Sequence, residues 1–296
     1  MFSTKLLYTQ PLKKYVRNFK SNLRPVKMAY NVYEGPNTDK TLPPLIVMHG
    51  LFGSKQNWRG ICRELQTKIK QRIYAVDARN HGESPHTNEH SSANMAEDVV
   101  KFIRQEGYAK ASVMGHSMGG RAMMYLALQH PDLVERGVII DISPLSVPHS
   151  VFEMEALMLA MKNISVSKDL TMAQGRKIVE KELIAIDPEI VHFIMLNLKK
   201  RESGEFYWAP NIDALLNNLR KFSEFLEHVD NLKPFTNPMV FACGNNSSFM
   251  DPDSWPDIQK IFPNSKLHWL DTGHMIHIEQ PVKFVNIVAE FLNQKI

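Results

Sequence analysis

Ser117, Asp141 and His274 are the residues of this 296-residue chain whose types and order could make a hydroxyl group nucleophilic. A serine hydroxyl is weak until a base removes its proton, and an imidazole serves best when an acid orients it and steadies the imidazolium. Ser117 stands in Gly115-His116-Ser117-Met118-Gly119, a G-x-S-x-G pattern. Apolar Ala111–Met114 precedes it, and the helical stretch Arg121–Leu128 follows before Pro131. On a strand–turn–helix this pattern pushes the serine oxygen out at the tip of a sharp turn, because the glycines remove the Cβ atoms that would block it. A serine opening a helix also lies beside unpaired backbone N–H groups that can meet a developing oxyanion.

The base is expected at His274, in Asp271-Thr272-Gly273-His274, where the glycine lets the loop turn the ring back across the sheet. His277 lies about one helical turn further on and reaches the same point less well. His116 adjoins the nucleophile, and its side chain is expected to point away and pack. The acid is less plain. The loop Gly244-Asn245-Asn246-Ser247 holds Ser247 where many hydrolases of this kind carry a carboxylate. Asp141, in Ile139-Ile140-Asp141-Ile142-Ser143-Pro144, lies one helix and one strand beyond Ser117, which returns it to the same sheet edge. A carboxylate at an apolar strand end is costly unless paired, and an imidazole N–H would pair it. Asp251 and Asp213 are the alternatives, and Ser247 can add a hydrogen bond to the base. The oxyanion site needs two backbone donors: Met118 supplies one, and Leu51 or Phe52, after His49-Gly50, the other.

These residues need a sheet that collects strand ends. Leu45–Met48, Arg72–Val76, Val113-Met114 and Gly137–Ile140 read as buried strands, with a helix from Ala93 to Gln105. Alternating strands and helices imply a parallel, doubly wound α/β sheet, whose ligands gather at the strands' carboxyl ends. His49-Gly50, Asp77–Gly82, Ser117, Asp141 and His274 all fall at such ends. Between Pro144 and Pro234 the pattern is helical, with helices expected over Phe152–Met161, Thr171–Ile186, Pro188–Lys200 and Ile212–His228. Strands return at Met239–Ala242 and Leu267–Leu270, and a helix over Val282–Leu292 closes the chain. The expected organisation is a leader over 1–27, a core from 28–143 and 235–296, and a helical cap over 144–234. Met154, Met158 and Met161 share one cap face, a packing surface or an adaptable acyl-pocket wall. Phe206-Tyr207-Trp208 offers the same two readings.

Composition narrows the partners. Hydrophobic residues make up 44% and charged residues 22%, ordinary for a globular protein, and no run of 18 apolar residues proposes a membrane span. Peripheral membrane contact stays open. The net charge of +4 comes from the first 27 residues, which hold Lys5, Lys13, Lys14, Arg17, Lys20, Arg24 and Lys27. With no acid before Glu34 and apolar residues interspersed, this leader reads as a mitochondrial transit peptide, addressing the matrix, against the alternative of a disordered tail on a cytoplasmic protein. The remaining body is slightly acidic, so a nucleic-acid partner is not indicated. Cys62 and Cys243 form no framework or metal spacing and read as small buried hydrophobes. The chemistry calls for no cofactor or metal.

Six segments in order, His49–Ser54, Asp77–Gly82, Gly115–Gly120, Asp141–Pro144, Gly244–Ser247 and Gly273-His274, resemble the α/β-hydrolase superfamily. More narrowly they resemble the branch containing abhydrolase domain-containing protein 11 and the bacterial YbfF-like esterases. The likeness runs from about residue 28 to the end. It implies an α/β-hydrolase fold with a helical cap, the acid at the aspartate of Asp141-Ile-Ser-Pro144, and hydrolysis of acyl esters, diacylglycerol among them. Fungal proteins of this kind transfer acyl groups to alcohols, so transfer is an alternative, as is a noncatalytic binding or chaperone-like protein on the same fold. The expected partner is a small acyl ester or lipid. Chain length, physiological substrate, protein partners and oligomeric state are not legible.

Overall fold

Three short apolar runs, each fully buried, set the middle of the molecule: β2 (Leu45–Met48), β3 (Ile73–Val76) and β4 (Ala111–His116). The computed structural model describes residues 23–146, 150–222 and 232–295. Most of the expected leader therefore lies outside the described residues, as does the expected helix beyond 222. With β1 (Tyr30–Tyr33), β5 (Val134–Ile140), β8 (Met239–Gly244) and β9 (Ser265–Leu270), these runs make a seven-stranded sheet in the order β1-β3-β2-β4-β5-β8-β9. Only β1 runs antiparallel, against β3. Every other pairing is parallel.

Alternate side chains of each strand point to opposite faces. Ile46, Met48, Val113, Ile139 and Phe241 pack under α2 (Ser92–Gln105) and α3 (Met118–Gln129). Leu45, Val47, Met114, Val138 and Val240 pack against α1 (Arg59–Gln66) and the C-terminal helix Pro281–Asn293. Burial on both faces explains why these strands read as continuous apolar runs and were the most legible elements. Cys62 and Cys243 are buried free thiols in these two layers, and burial raises both pKa values, which suits packing rather than reactivity.

Between β5 and β8 lie α4 (Ser150–Asn163), α5 (Met172–Glu182), α6 (Pro188–Met195), a hairpin of β6 (Leu198–Lys200) and β7 (Phe206–Trp208), and α7 (Ile212–Asn218). The hairpin corrects the expectation of helix through Lys200. Leu198 is buried opposite Trp208, and Gly204 takes the turn at φ 91°. Strands of three residues are too short for their period-two pattern to stand out from the helical run before them. Met158 and Met161 are buried in a separate apolar cluster with Leu157, Ile194 and Leu215, so the methionine face packs the cap together. Phe206 and Trp208 join that cluster while Tyr207 is exposed. Among the described residues no helix is long and apolar enough to cross a membrane.

Candidate active site

Register places the reacting groups. His116 pairs with Ile140 and Ile140 with Ala242, so β4, β5 and β8 reach the same sheet edge together. One residue further, the Ser117 N–H donates to Ile140 O at 3.0 Å and the Asp141 N–H to Ala242 O at 2.9 Å. At those two residues both chains turn left-handed, with φ 50° at Ser117 and 48° at Asp141. Among the described residues only Phe52 (58°) and Asn80 (64°) share that conformation without being glycine, and both sit on neighbouring strand-end loops. Such residues cost of order 1–3 kcal/mol each and persist only where the surroundings over-determine them. The chain concentrates its backbone strain around one point.

At the nucleophile turn the fit is close. A Cβ on Gly119 would stand 2.6 Å from both Met48 O and His49 O, which the glycine avoids. A Cβ on Gly50 would stand 3.3 Å from the Ser117 Cβ, so the loop after β2 lies directly beside the serine. Met118 opens α3 behind Ser117.

His274 Nδ1 and Asp141 Oδ2 are 2.6 Å apart, and Asp141 is fully buried while the histidine side chain is 26% exposed. Asp141 Oδ1 accepts the Gly244 N–H at 2.9 Å. The Ser247 hydroxyl donates to Oδ2, the same oxygen that faces His274. Ser247 therefore supports the acid and not the base: its short side chain reaches the carboxylate that stands where a longer acid at 247 would put its own. Of the alternatives, Asp213 is exposed on the cap and pairs with Lys162 at 2.5 Å. Asp251 accepts the Asp253 N–H as a turn cap.

His274 is held by several contacts. Phe249 stacks on its ring at 3.7 Å, and Glu279 accepts the N–H groups of Gly273 and Met275. His116 lies 4.5 Å from it ring to ring, and His116 Nε2 meets the His274 carbonyl at 2.9 Å. A carbonyl only accepts, so Nε2 carries the proton. Burial drives the His116 pKa well below the usual histidine value, which keeps the ring neutral in this tautomer. His116 thus ties the nucleophile turn to the base loop, which exceeds the packing expected of it. His277 is buried and stacked on Trp58 at 4.4 Å, with the His116 ring 4.9 Å away.

On the opposite side, the loop after β2 is fastened by the loop after β3. Asp77 accepts the Lys55 N–H (2.7 Å), the Lys55 ammonium (2.6 Å) and the Glu83 N–H (2.9 Å). His49 Nε2 accepts the Ala78 N–H at 3.0 Å, and His81 Nε2 accepts the Phe52 N–H at 3.2 Å. His81 Nδ1 faces Arg79 O at 3.1 Å, and burial lowers its pKa far below the ordinary histidine value, so its proton sits on Nδ1 and Nε2 is free to accept. Arg79 itself is locked to buried Asp98 by two bonds of 2.7 and 2.6 Å. Of the two candidate oxyanion donors in this loop, Phe52 has its N–H committed. That leaves Leu51 in this loop, and Met118 stands in the first turn of α3, where backbone N–H groups lack an intrahelical acceptor. His81 and Asn197, which holds the Phe52 carbonyl at 2.7 Å, had no assigned role in the sequence. The motif Asp77–Gly82 was a signal for the first, and nothing in the chain pointed to the second.

Residues 43–166 match the family model described as alpha/beta hydrolase fold. Over 276 residues the chain is 36% identical to the sn-1-specific diacylglycerol lipase ABHD11 of Mus musculus, spanning 92% of this chain and 87% of that protein. It is 28% identical to ethanol acetyltransferase 1 of Wickerhamomyces ciferrii, over 99% of this chain and 80% of that one. Among solved structures, a marine microorganism esterase superposes with a TM-score of 0.81 at 31% identity, covering 90% of this chain and all of its own.

Proposed function

The chain belongs to the α/β-hydrolase fold family, and from that premise we propose that it is a serine hydrolase cleaving acyl esters through Ser117, His274 and Asp141. The observation that carries the reading is the 2.6 Å contact of His274 Nδ1 with buried Asp141, on the strand end that pairs with the strand leading into Ser117. Ser117 Oγ attacks the acyl carbonyl while His274 Nε2 takes its proton. Asp141, acceptor-only when ionised, holds the Nδ1–H and stabilises the imidazolium. The carbonyl oxygen becomes an oxyanion met by the Met118 and Leu51 N–H groups. Collapse expels the alcohol, protonated by His274, and leaves Ser117 acylated. Water, deprotonated by His274, attacks the acyl carbon, and collapse frees the acid as His274 returns the proton to Ser117 Oγ.

An apolar acyl ester suits a site whose oxyanion loop leads into an apolar cap cluster. The likeness to a diacylglycerol lipase supports a glyceride ester as the substrate class. Transfer of the acyl group to an alcohol is the second reading, supported by the likeness to an ethanol acetyltransferase. It differs only in the nucleophile that resolves the acyl-enzyme. The basic leader supports a mitochondrial address, a reading that rests on sequence alone.

Replacing Ser117 by Ala is expected to lower turnover of short-chain p-nitrophenyl esters by at least about 10⁴-fold, without shifting the thermal midpoint. A fluorophosphonate probe should label the parent protein at Ser117 and leave the variant unlabelled. Ester cleavage that survives in the variant would sink the assignment, and an unlabelled parent would favour a noncatalytic binder.

A further inference from the structure

We propose that Asn197, a cap residue, is a positioning residue for the oxyanion loop, clamping the Phe52–Gly53 peptide so that the Leu51 N–H is this loop's donor to the reacting carbonyl, beside the Met118 N–H. The proposal rests on the serine-hydrolase reading above. Phe52 is held from three directions. Its N–H donates to His81 Nε2 at 3.2 Å, and its carbonyl accepts the Asn197 Nδ2–H at 2.7 Å. Its side chain, only 4% exposed, is buried in the cap cluster with Leu157, Ile194 and Leu215 rather than in either layer of the sheet. The residue sits at φ 58°, a conformation a bulky side chain rarely keeps without such restraint.

The restraints close into a ring. Asn197 O accepts the Ala209 N–H at 2.9 Å, and two residues on the Asn211 N–H donates to Asn80 O at 2.9 Å. Asn80 is bonded to His81, which returns to Phe52. The circuit runs from oxyanion loop to cap hairpin, to the loop after β3, and back. Asn197 is itself buried, so its amide bonds in a setting where a missing partner is expensive. A peptide carbonyl and the N–H on its far side rotate as one plane. The Phe52 carbonyl held by Asn197 therefore moves with the Gly53 N–H, which donates to Gly50 O at 3.0 Å, and Gly50 O shares its peptide plane with the Leu51 N–H, so loosening the carbonyl loosens the donor. An oxyanion donor acts only when its N–H is already aimed at the place where charge will develop. Cap and chemistry are coupled through one amide.

The test uses the full chain with p-nitrophenyl butyrate. Asn197→Ala removes the donor, and Asn197→Asp keeps the shape while setting an acceptor against the Phe52 carbonyl. The clamp predicts a fall in kcat of about tenfold for Asn197→Ala and about a hundredfold for Asn197→Asp, with KM within about twofold. The inhibition constant of an alkyl boronate, whose tetrahedral adduct carries the oxyanion, should rise by the same factors. Asn218→Ala is the control: it deletes another cap–core bond, to Asn88 O at 2.8 Å, that involves neither Phe52 nor Asn197, and should leave kcat as it was. Unchanged kcat in both Asn197 variants, a rise in KM alone, or an equal loss in Asn218→Ala would each overturn the clamp. A parent protein with no turnover would instead sink the hydrolase reading on which the clamp rests.

Discussion

The two sides of the site are built differently. On the acid–base side, Asp141, Ser247, His274, His116 and Phe249 all belong to the sheet domain, and their bonds close among strand-end loops of β4, β5, β8 and β9. On the oxyanion side, the Phe52–Gly53 peptide of the donor loop is shared with the cap, through Asn197 and the packed Phe52 ring. In the proposed mechanism the proton-handling half is complete without the cap, whereas of the two oxyanion donors Met118 belongs to the sheet domain and only Leu51 lies in a loop bonded to the cap.

Two perturbations test whether the acid–base half stands by itself, and a third concerns a buried histidine outside both halves. The largest effect is expected from Asp141→Asn. An amide at 141 either fails to hold the Nδ1–H or turns its own NH2 toward the ring, and loss of the correct tautomer costs about 10³–10⁴ in kcat with the fold retained. Cleavage at near-parental rates would move the acid elsewhere and dissolve the self-contained half. Next comes Ser247→Ala, which removes one charge-assisted donor from the oxygen facing His274. A loss of about tenfold in kcat is expected, because the carboxylate that holds the His274 ring loses one of its donors. If kcat stays put, Ser247 is only a spacer.

The smallest effect concerns stability. His277 and His90 are each pushed down to about 3 by burial. Each is neutral when folded and binds a proton once unfolded below about pH 6.5. The unfolded chain then binds more protons, so stability is full above about pH 6.5 and drains away as pH falls toward 3. Each such histidine contributes at most about 1.4 kcal/mol per pH unit in that window. Replacing His277 by Phe, which keeps the stack on Trp58, should flatten the dependence of the urea midpoint on pH between 6 and 4 by one proton's slope. An unchanged slope would mean that His277 already protonates in the folded protein.

The strands and the order Ser117, Asp141, His274 were legible because burial on both faces writes apolar runs and because strand ends collect the residues that follow them. Asp141 could be singled out since a carboxylate in Ile139-Ile140-Asp141-Ile142 has no inexpensive place except beside a donor. The difference between Leu51 and Phe52 was not legible: both N–H groups look alike in sequence, and it is a histidine 29 residues away that takes up the Phe52 N–H. Asn197 was hidden for a related reason. An asparagine near a helix end normally reads as a turn residue, and its partner is 145 residues earlier in the chain. The hairpin between Leu198 and Trp208 was missed because helical neighbours swamp two three-residue strands.

Ser247 touching Asp141 has a consequence for how the acid can change place. The site has two seats for one negative charge, at the ends of β5 and β8, close enough that their side chains share a hydrogen bond. Two carboxylates seated together could not both ionise, so one would take up a proton and the pair would serve His274 poorly at neutral pH. A double exchange, Asp141→Ser with Ser247→Asp, should leave a working site, while the single change Ser247→Asp should damage it. Moving the acid from one strand to its neighbour is therefore a step across an electrostatic ridge, and the two arrangements are alternatives with no comfortable halfway form.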